Sequence, residues 1–468
     1  MPDKIVLVLD CGATNVRTIA VNEKGQLVAR SSLPNNTQPD PLYSKYKIWD
    51  INEIWDKLCK TTGLVVKQIN KSNIAGVTVT TFGVDCAPVT KTGELIYPVI
   101  SWACERTAPI MENIDKYIPL TDLYALNGLN KFSFNTINKL IWFKENHPEI
   151  LDKADFFAFI SAILLNKLSG ELVSEKTMAG TSMLTDISSQ QFSEKILSRI
   201  GIKNNIFPPI VEAGQIIGHI TKRAFEQTGI PENIPVIATG HDTQFAIFGS
   251  GAKEDQPVLS SGTWEILMVR TSKVNTNVYA LENGVTTEFD SIPKLYNAGI
   301  QWLASGVLEW IKKMYYSKEI AEMPGDAIYE LMIDEAKKAD LSGKLKISVD
   351  FLNSNGIISG LGLDTKRQEI YLAALHALAE KMKSSLEILE KTGNFKAESI
   401  ICVGGGSKNA LWNKIKANTL KLPIHLIAVK ETTVLGAALF AFTAIGSFKT
   451  VMEARDMINY KKVIVEND

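Results

Sequence analysis

Asp10, Gly12, Thr14 and Asn15 stand close together directly behind the apolar run Ile5-Val6-Leu7-Val8-Leu9. A strand that breaks into such a turn suits a phosphate group. Gly12 lets the backbone approach an anion, Thr14 and Asn15 bring donors, and the Asp10 carboxylate suits a magnesium ion or its waters. An ordinary hairpin whose Asp and Thr only cap the turn would carry the same residues. The stretch Leu259-Ser260-Ser261-Gly262-Thr263 repeats the pattern without the acid. A third candidate, Gly404-Gly405-Gly406-Ser407, lies between a strand-like Ser399–Val403 and a helix-like Asn409–Leu420. Strand, glycine turn and helix N-terminus suit contact with a nucleotide, although a tight connection alone also calls for glycine.

The usual signatures of nucleotide binding are missing. No G-x-x-x-x-G-K-[ST] loop occurs, and no G-x-G-x-x-G follows a strand, which disfavours P-loop and dinucleotide folds. Two facing hairpins could instead enclose the β- and γ-phosphates of ATP while the glycines near Gly405 accept the adenosine. That arrangement belongs to the actin-like ATPases. The expected fold is therefore α/β, two actin-like ATPase (ribonuclease H-like) domains with a catalytic cleft between them.

The elements that must position these turns follow from periodicity. Arg17 to Asn22 and Leu27 to Leu33 read as strands around a Glu23–Gln26 turn, Ile51 to Ile69 as a helix, Ile74 to Thr81 as a strand and Asn138 to Asn146 as a helix. Pro257–Ser261 and Ile266–Arg270 read as the second hairpin. Tyr371, Leu375, Leu378, Met382 and Leu389 recur on one face of a long helix, Glu369 to Lys391. The echo between the halves implies a weak internal duplication. A chain of 468 residues exceeds one core. We expect domains 1–245 and 246–468, with the junction near Phe245–Pro257, where glycines and short charged stretches cluster.

Composition removes several function classes. Lys plus Arg number 50 against 51 Asp plus Glu, with no basic run to track a nucleic-acid backbone. The five cysteines, Cys11, Cys59, Cys86, Cys104 and Cys402, are odd in number and form no C-x-x-C pair, so neither disulfides nor a zinc site is expected. The histidines lack metal spacing. The first apolar run ends at Asp10 without a cleavage site, and Val434–Ile445 is shorter than a membrane span. A soluble, cytoplasmic protein without membrane or nucleic-acid partners is expected; a homodimer stays open.

Longer motifs make a resemblance specific. Phe134-Asn135-Thr136-Ile137-Asn138-Lys139-Leu140-Ile141-Trp142 and Gly404-Gly405-Gly406-Ser407-Lys408-Asn409 are similar to the two signature motifs of the FGGY carbohydrate kinases, and the likeness runs along essentially the whole chain. Thr80-Thr81-Phe82-Gly83-Val84-Asp85, Ser101-Trp102 with Arg106-Thr107, Gly240-His241-Asp242-Thr243-Gln244-Phe245 and Ser260 to Leu267 resemble most the branch acting on L-fuculose in fucose catabolism. Kinases of L-rhamnulose share the Gly-Val-Asp and Gly-His-Asp-Thr segments, and the Gln-Met-His-Gly motif of xylulokinases is absent.

The resemblance implies an ATP-dependent kinase using Mg²⁺, with roles for named residues. Asp242 would be the general base, since a sugar hydroxyl is a weak nucleophile at neutral pH; the same Asp reads otherwise as a helix cap after Gly240. His241 is expected to be structural. Asp10 would orient the metal, Gly12, Thr14, Asn15 and Arg17 would surround the phosphates, and Gly262 and Thr263 would meet them from the opposite lobe. Gly405, Gly406 and Asn409 would hold the adenosine side. Asp85, Trp102 and Arg106 would bind the sugar, with Phe82, Phe132 and Phe134 against its C6 methyl. A nucleotide-driven switch of the actin type is the reading from a different class, and it would need no base facing a sugar.

Overall fold

The computed structural model describes residues 3–323, 325, 327–341, 345–348 and 356–467. Two sheets organise them. The first contains β1 (Ile5–Cys11), β2 (Asn15–Asn22), β3 (Leu27–Pro34), β4 (Ile74–Thr81), β5 (Ile216–His219) and β6 (Pro235–Ile237) in the order β5-β6-β4-β1-β2-β3. The second contains β7 (Val258–Ser261), β8 (Trp264–Thr271), β9 (Thr286–Phe289), β10 (Tyr296–Leu303), β11 (Ile400–Val403), β12 (Ile424–Ile427) and β13 (Lys462–Val465), in the order β13-β12-β11-β7-β8-β10-β9.

Laid side by side, the sheets repeat one plan. An antiparallel triple, β1-β2-β3 or β7-β8-β10, is extended on its first strand by two parallel neighbours, β4-β6 or β11-β12, and closed by an antiparallel edge, β5 or β13. The extra strand β9 pairs with β10. Both parallel cores are buried on two faces, which is why their strands are apolar without alternation. In β1, Ile5, Leu7, Leu9 and Cys11 enter one core while Val6 and Val8 enter another, as a period of two requires.

The helices match the sequence periodicity with small shifts at their ends. Helix α1 spans Ile51–Val66, capped by the Asp50 side chain on the amides of Asn52 and Glu53. Helix α2 spans Thr136–Asn146 and the long helix, α4 below, spans Arg367–Gly393 with Tyr371, Leu375, Leu378, Met382 and Leu389 all buried. Helix α5, Ala410–Leu420, begins after Asn409, whose side chain accepts from the Trp412 amide.

The chain passes from the first sheet to the second between Ile237 and Val258, and the passage is itself a helix, α3, Asp242–Gly249. Phe245 and Phe248 pack with Val6, Val8 and Ile19 of the first sheet, while Ile247 packs with Val258, Met268 and Ile401 of the second. Helix α6, Thr432–Ala444, crosses α3 and lies on β1 and β4. It comes late in sequence yet covers the first sheet, so residues of the expected 246–468 domain serve both cores. Its thirteen residues carry no charge, the composition of a helix buried all round; among the described residues no helix is long and apolar enough to cross a membrane.

The crossing needs glycine on both sides. A Cβ on Gly249 would collide with the Thr432 carbonyl oxygen, and one on Gly436 with the Phe245 carbonyl oxygen. The two backbones therefore touch without intervening side chains. Gly436→Ala should destabilise the protein by about 1 to 3 kcal/mol through overpacking, read as a lowered midpoint in urea unfolding. An unchanged midpoint would mean that these helices are not in contact.

Candidate active site

Asp10 occupies the end of β1, directly opposite Arg17 on β2 and Thr80 on β4. Those register partners hold it. Arg17 donates from Nε at 2.9 Å and from Nη2 to Asp10 Oδ2, and the Thr80 hydroxyl donates to Oδ1 at 3.0 Å. The remaining arm of Arg17, Nη1, reaches Glu431 Oε2 at 2.8 Å, at the start of α6. The tip beyond Asp10 is exposed at Thr14 and Asn15, and Asn35 returns to clamp it by donating to Gly12 O and Thr14 O. The second hairpin is clamped alike: the amides of Ala304 and Gly306 donate to Thr263 O, and that of Ser305 to Gly262 O.

Asp242 is the first residue of α3, at the carboxyl ends of β4 and β6, where open α/β sheets place their ligands. The Thr81 amide donates to Gly240 O at 3.0 Å, and the Thr177 hydroxyl accepts from the His241 amide at 2.9 Å. These bonds fix the approach to the helix. Burial raises the Asp242 carboxyl above its ordinary value; His241 opposes that and the Asp10 carboxylate adds to it. A carboxylate raised toward neutrality is better matched to taking a proton at neutral pH.

Two cavities meet at this residue. The larger, of about 720 Å³, is walled by Phe82, Trp102, Phe132 and Phe134 from the first half and by Trp264, Glu288 and Gln301 from the second, with His241, Asp242 and Thr243 between them. The smaller, of about 180 Å³, runs from Asp242 and Thr243 along Val258, Ser260 and Ile266 to Val403 and Thr433. Asp242 and Thr243 line both. One chamber has aromatic walls and scattered polar groups, which suits a polyol; the other ends beside the glycine turn.

That turn starts at Gly404, whose φ of +89° and contact with the Ser261 backbone exclude a side chain. Gly405 has open space above it. Asn409 spends its side chain on the cap of α5 and on a bond to the Tyr371 hydroxyl at 3.1 Å, so it shapes the turn. The turn and the second hairpin are tied by a fully buried pair. Glu265 Oε1 accepts from Lys416 Nζ at 2.5 Å and from the Ser261 hydroxyl at 2.7 Å, and Trp302 Nε1 donates to Oε2 at 3.2 Å.

Of the sugar-facing residues expected from sequence, Trp102, Phe82, Phe132 and Phe134 do line the large cavity, with Trp102 40% exposed and the rings of Phe132 and Phe134 stacked 5.0 Å apart. Asp85 and Arg106 do not. Asp85 is fully buried, paired with Lys139 Nζ and accepting from Trp49 Nε1 at 2.6 Å and from the Trp102 amide at 3.0 Å. Arg106 lies between the rings of Tyr46 and Trp142 and donates to Asp40 Oδ2 at 2.7 Å. Asp85 stands behind the wall and holds Trp102, whereas the partners of Arg106 lie outside the cavity lining. Sequence reasoning left out Glu288, Gln301 and Trp264 as cavity residues; the first two sit on strands without a local motif, whereas Trp264 follows Thr263 in the second hairpin and was within reach.

Comparison with known proteins accords with this geometry. Residues 5–249 match the model of the FGGY family of carbohydrate kinases, N-terminal domain, and residues 258–445 that of its C-terminal domain. L-fuculokinase of Escherichia coli (strain K12) is 46% identical over 463 residues, 98% of this chain and 97% of that protein. L-fuculokinase of Haemophilus influenzae is 46% identical over 459 residues, 96% and 97% of the two chains. The crystal structure of xylulose kinase from Rhodospirillum rubrum superposes with a TM-score of 0.89 at 19% identity, covering 99% of this chain and 94% of that one.

The buried Asp85–Lys139 pair generates a test. Lys139→Met should cost about 3 to 5 kcal/mol, because it leaves a carboxylate uncompensated, and adding Asp85→Asn should recover part of the loss. Urea unfolding of the three variants reads this; strict additivity of the two changes would contradict the pairing.

Proposed function

The chain belongs to the FGGY family of carbohydrate kinases, and we propose that its sugar is L-fuculose, converted with ATP to L-fuculose 1-phosphate in fucose catabolism. Its activity is ATP-dependent phosphorylation of a sugar. What supports the choice of sugar is the end-to-end similarity to proteins named L-fuculokinase, together with an aromatic chamber suited to a deoxysugar methyl. The observation that carries the mechanism is the position of Asp242 in the lining of both cavities.

In this reading the sugar lies in the larger cavity and the nucleotide reaches Asp242 from the glycine turn. The sugar hydroxyl oxygen forms a bond to the γ-phosphorus as the bond from that phosphorus to the β–γ bridging oxygen breaks. Asp242 takes the hydroxyl proton and ADP leaves. Thr14 and Asn15 at one tip and Thr263 at the other offer donors to the phosphates from the two lobes. The Gly12 and Gly262 amides close the turns by donating to Asn15 O and Trp264 O, and Arg17 holds Asp10 and Glu431 in place. Gly405 leaves room for the adenosine, Gly406 lets the turn pack closely on Ser261 and Trp412, and Asn409 keeps that turn in shape.

Asp10 fits a magnesium ion carried in with the nucleotide. Its Oδ1 accepts only from Thr80 among the hydrogen bonds of the described residues, and magnesium needs one or two carboxylates beside phosphate oxygens and water. The ion would neutralise charge on the phosphates. Water competes with the sugar as nucleophile, so closure of the lobes over both substrates protects the transfer.

A coupled ADP assay with L-fuculose, L-rhamnulose, D-ribulose and D-xylulose should show kcat/KM highest for L-fuculose. L-rhamnulose carries the same methyl and differs in the configuration of one hydroxyl, so the margin over it should be about 10- to 200-fold; a clear preference for L-rhamnulose would replace the sugar and keep the chemistry. Asp242→Asn should lower kcat by about 10² to 10⁴ with ATP affinity nearly intact, and near-normal turnover would remove Asp242 as base. Asp10→Asn should raise the magnesium concentration needed for half-maximal rate, and an unchanged requirement would remove Asp10 from the metal.

A further inference from the structure

Glu288 belongs to β9, the added edge strand of the second sheet, yet its carboxylate reaches the start of α3. Glu288 Oε2 lies 3.1 Å from His241 Nδ1 and accepts from Gln244 Nε2 at 2.6 Å. The first is an ion-pair contact, not a well-aligned hydrogen bond, since His241 Nδ1 has no hydrogen-bond partner by geometry. On the other side of the ring, His241 Nε2 lies 3.5 Å from Asp242 Oδ1. Carboxylate, imidazole and carboxylate thus stand in line, and all three face the larger cavity.

The far end of this line is rigid. Gln244, which grips Glu288, accepts through its own oxygen from Asn297 Nδ2, Asn297 donates also to Asp290 Oδ2 at 2.6 Å, and Asp290 is paired with Arg270 Nε at 2.8 Å. Gln244, Asn297, Asp290 and Arg270 are all buried. This network ties Glu288 to the second sheet as well as to α3, which leaves His241 held between a fixed anion and the base.

We propose that Glu288 is a positioning residue for the base: reaching over from the second lobe, it holds the His241 ring against Asp242, so that the base is complete only while the two lobes are docked. The proposal rests on the reading of Asp242 as base.

The electrostatics agree in sign. Burial disfavours charge on His241, but the Glu288 carboxylate, followed by Asp242 and Glu175, offsets this and raises the imidazole above its ordinary value. Glu175 is itself pushed up to about 7 by burial. Asp242 feels the charges of His241 and of the Asp10 carboxylate, and of those two only His241 favours its ionised form. Neutralising Glu288 therefore weakens the imidazolium, and a weaker imidazolium lets the base stay protonated to higher pH.

The test is kcat and KM for L-fuculose and for ATP, from about pH 5 to about pH 9, in the unchanged enzyme, Glu288→Gln and Glu288→Asp. Glu288→Gln should move the acid limb of kcat upward by about one pH unit, a loss of about tenfold on that limb, with KM for ATP unchanged. Glu288→Asp, which keeps the charge, should leave the limb where it is while lowering its height. A limb unmoved in Glu288→Gln, or moved equally in both variants, overturns the role of Glu288. If Glu288→Gln does not fold, the limb in Glu288→Asp decides alone, and a shifted limb there overturns the role. Failure of the unchanged enzyme to phosphorylate any of the ketoses would instead overturn the reading of the site itself.

Discussion

The Asp242 carboxylate is held where two chambers meet, and the rest of the architecture follows from the difficulty of keeping a charge there. Burial and the nearby Asp10 both push it toward its neutral form, and His241 pulls the other way. A carboxylate under opposing influences of this kind is sensitive to small displacements, because charge interactions strengthen in a dry cleft. Its backbone is correspondingly constrained: Gly240 is pinned to β4, His241 to Thr177, and the helix that begins at Asp242 is wedged between two sheets.

The scaffold meets that demand by duplication. Each half of this FGGY kinase, with its actin-like fold, carries a hairpin whose tip is clamped by residues just past the third strand of its antiparallel triple, Asn35 in one and Ala304 to Gly306 in the other. Each also contains a fully buried ion pair, Asp85–Lys139 in one and Glu265–Lys416 in the other. Buried pairs contribute little net stability but resist partial loss, since removing one partner strands a charge. They suit loops that must keep one geometry. Between the halves lie α3 and α6, in backbone contact at Gly249 and Gly436 and packed through Phe245, Phe248 and Phe440 into one core with the first sheet.

The sequence made much of this legible. Alternation between apolar strand and Gly-Thr turn located both hairpins, and β4 and the face of α4 were readable from period alone. The site was harder, for a physical reason: residue type and spacing report what a side chain can do, whereas its role depends on what lies behind it. Asp85 and Arg106 have the chemistry to bind a polyol, but Lys139 and Asp40 occupy them in the interior. Glu288 shows the converse, an ordinary acid on an edge strand that only tertiary packing brings to His241. Helix α6 could not be assigned to a core from its pattern, because a helix apolar on every side has no face to read.

The central claim is that the phosphoryl group passes directly between the chambers while Asp242 handles only a proton. The stereochemical course at phosphorus tests this most directly, using ATP made chiral at the γ-phosphorus with oxygen isotopes and analysing the sugar phosphate formed. A single in-line displacement inverts the configuration. Net inversion is the predicted result; net retention would mean two displacements through a phosphorylated residue and would contradict the role of Asp242 as base.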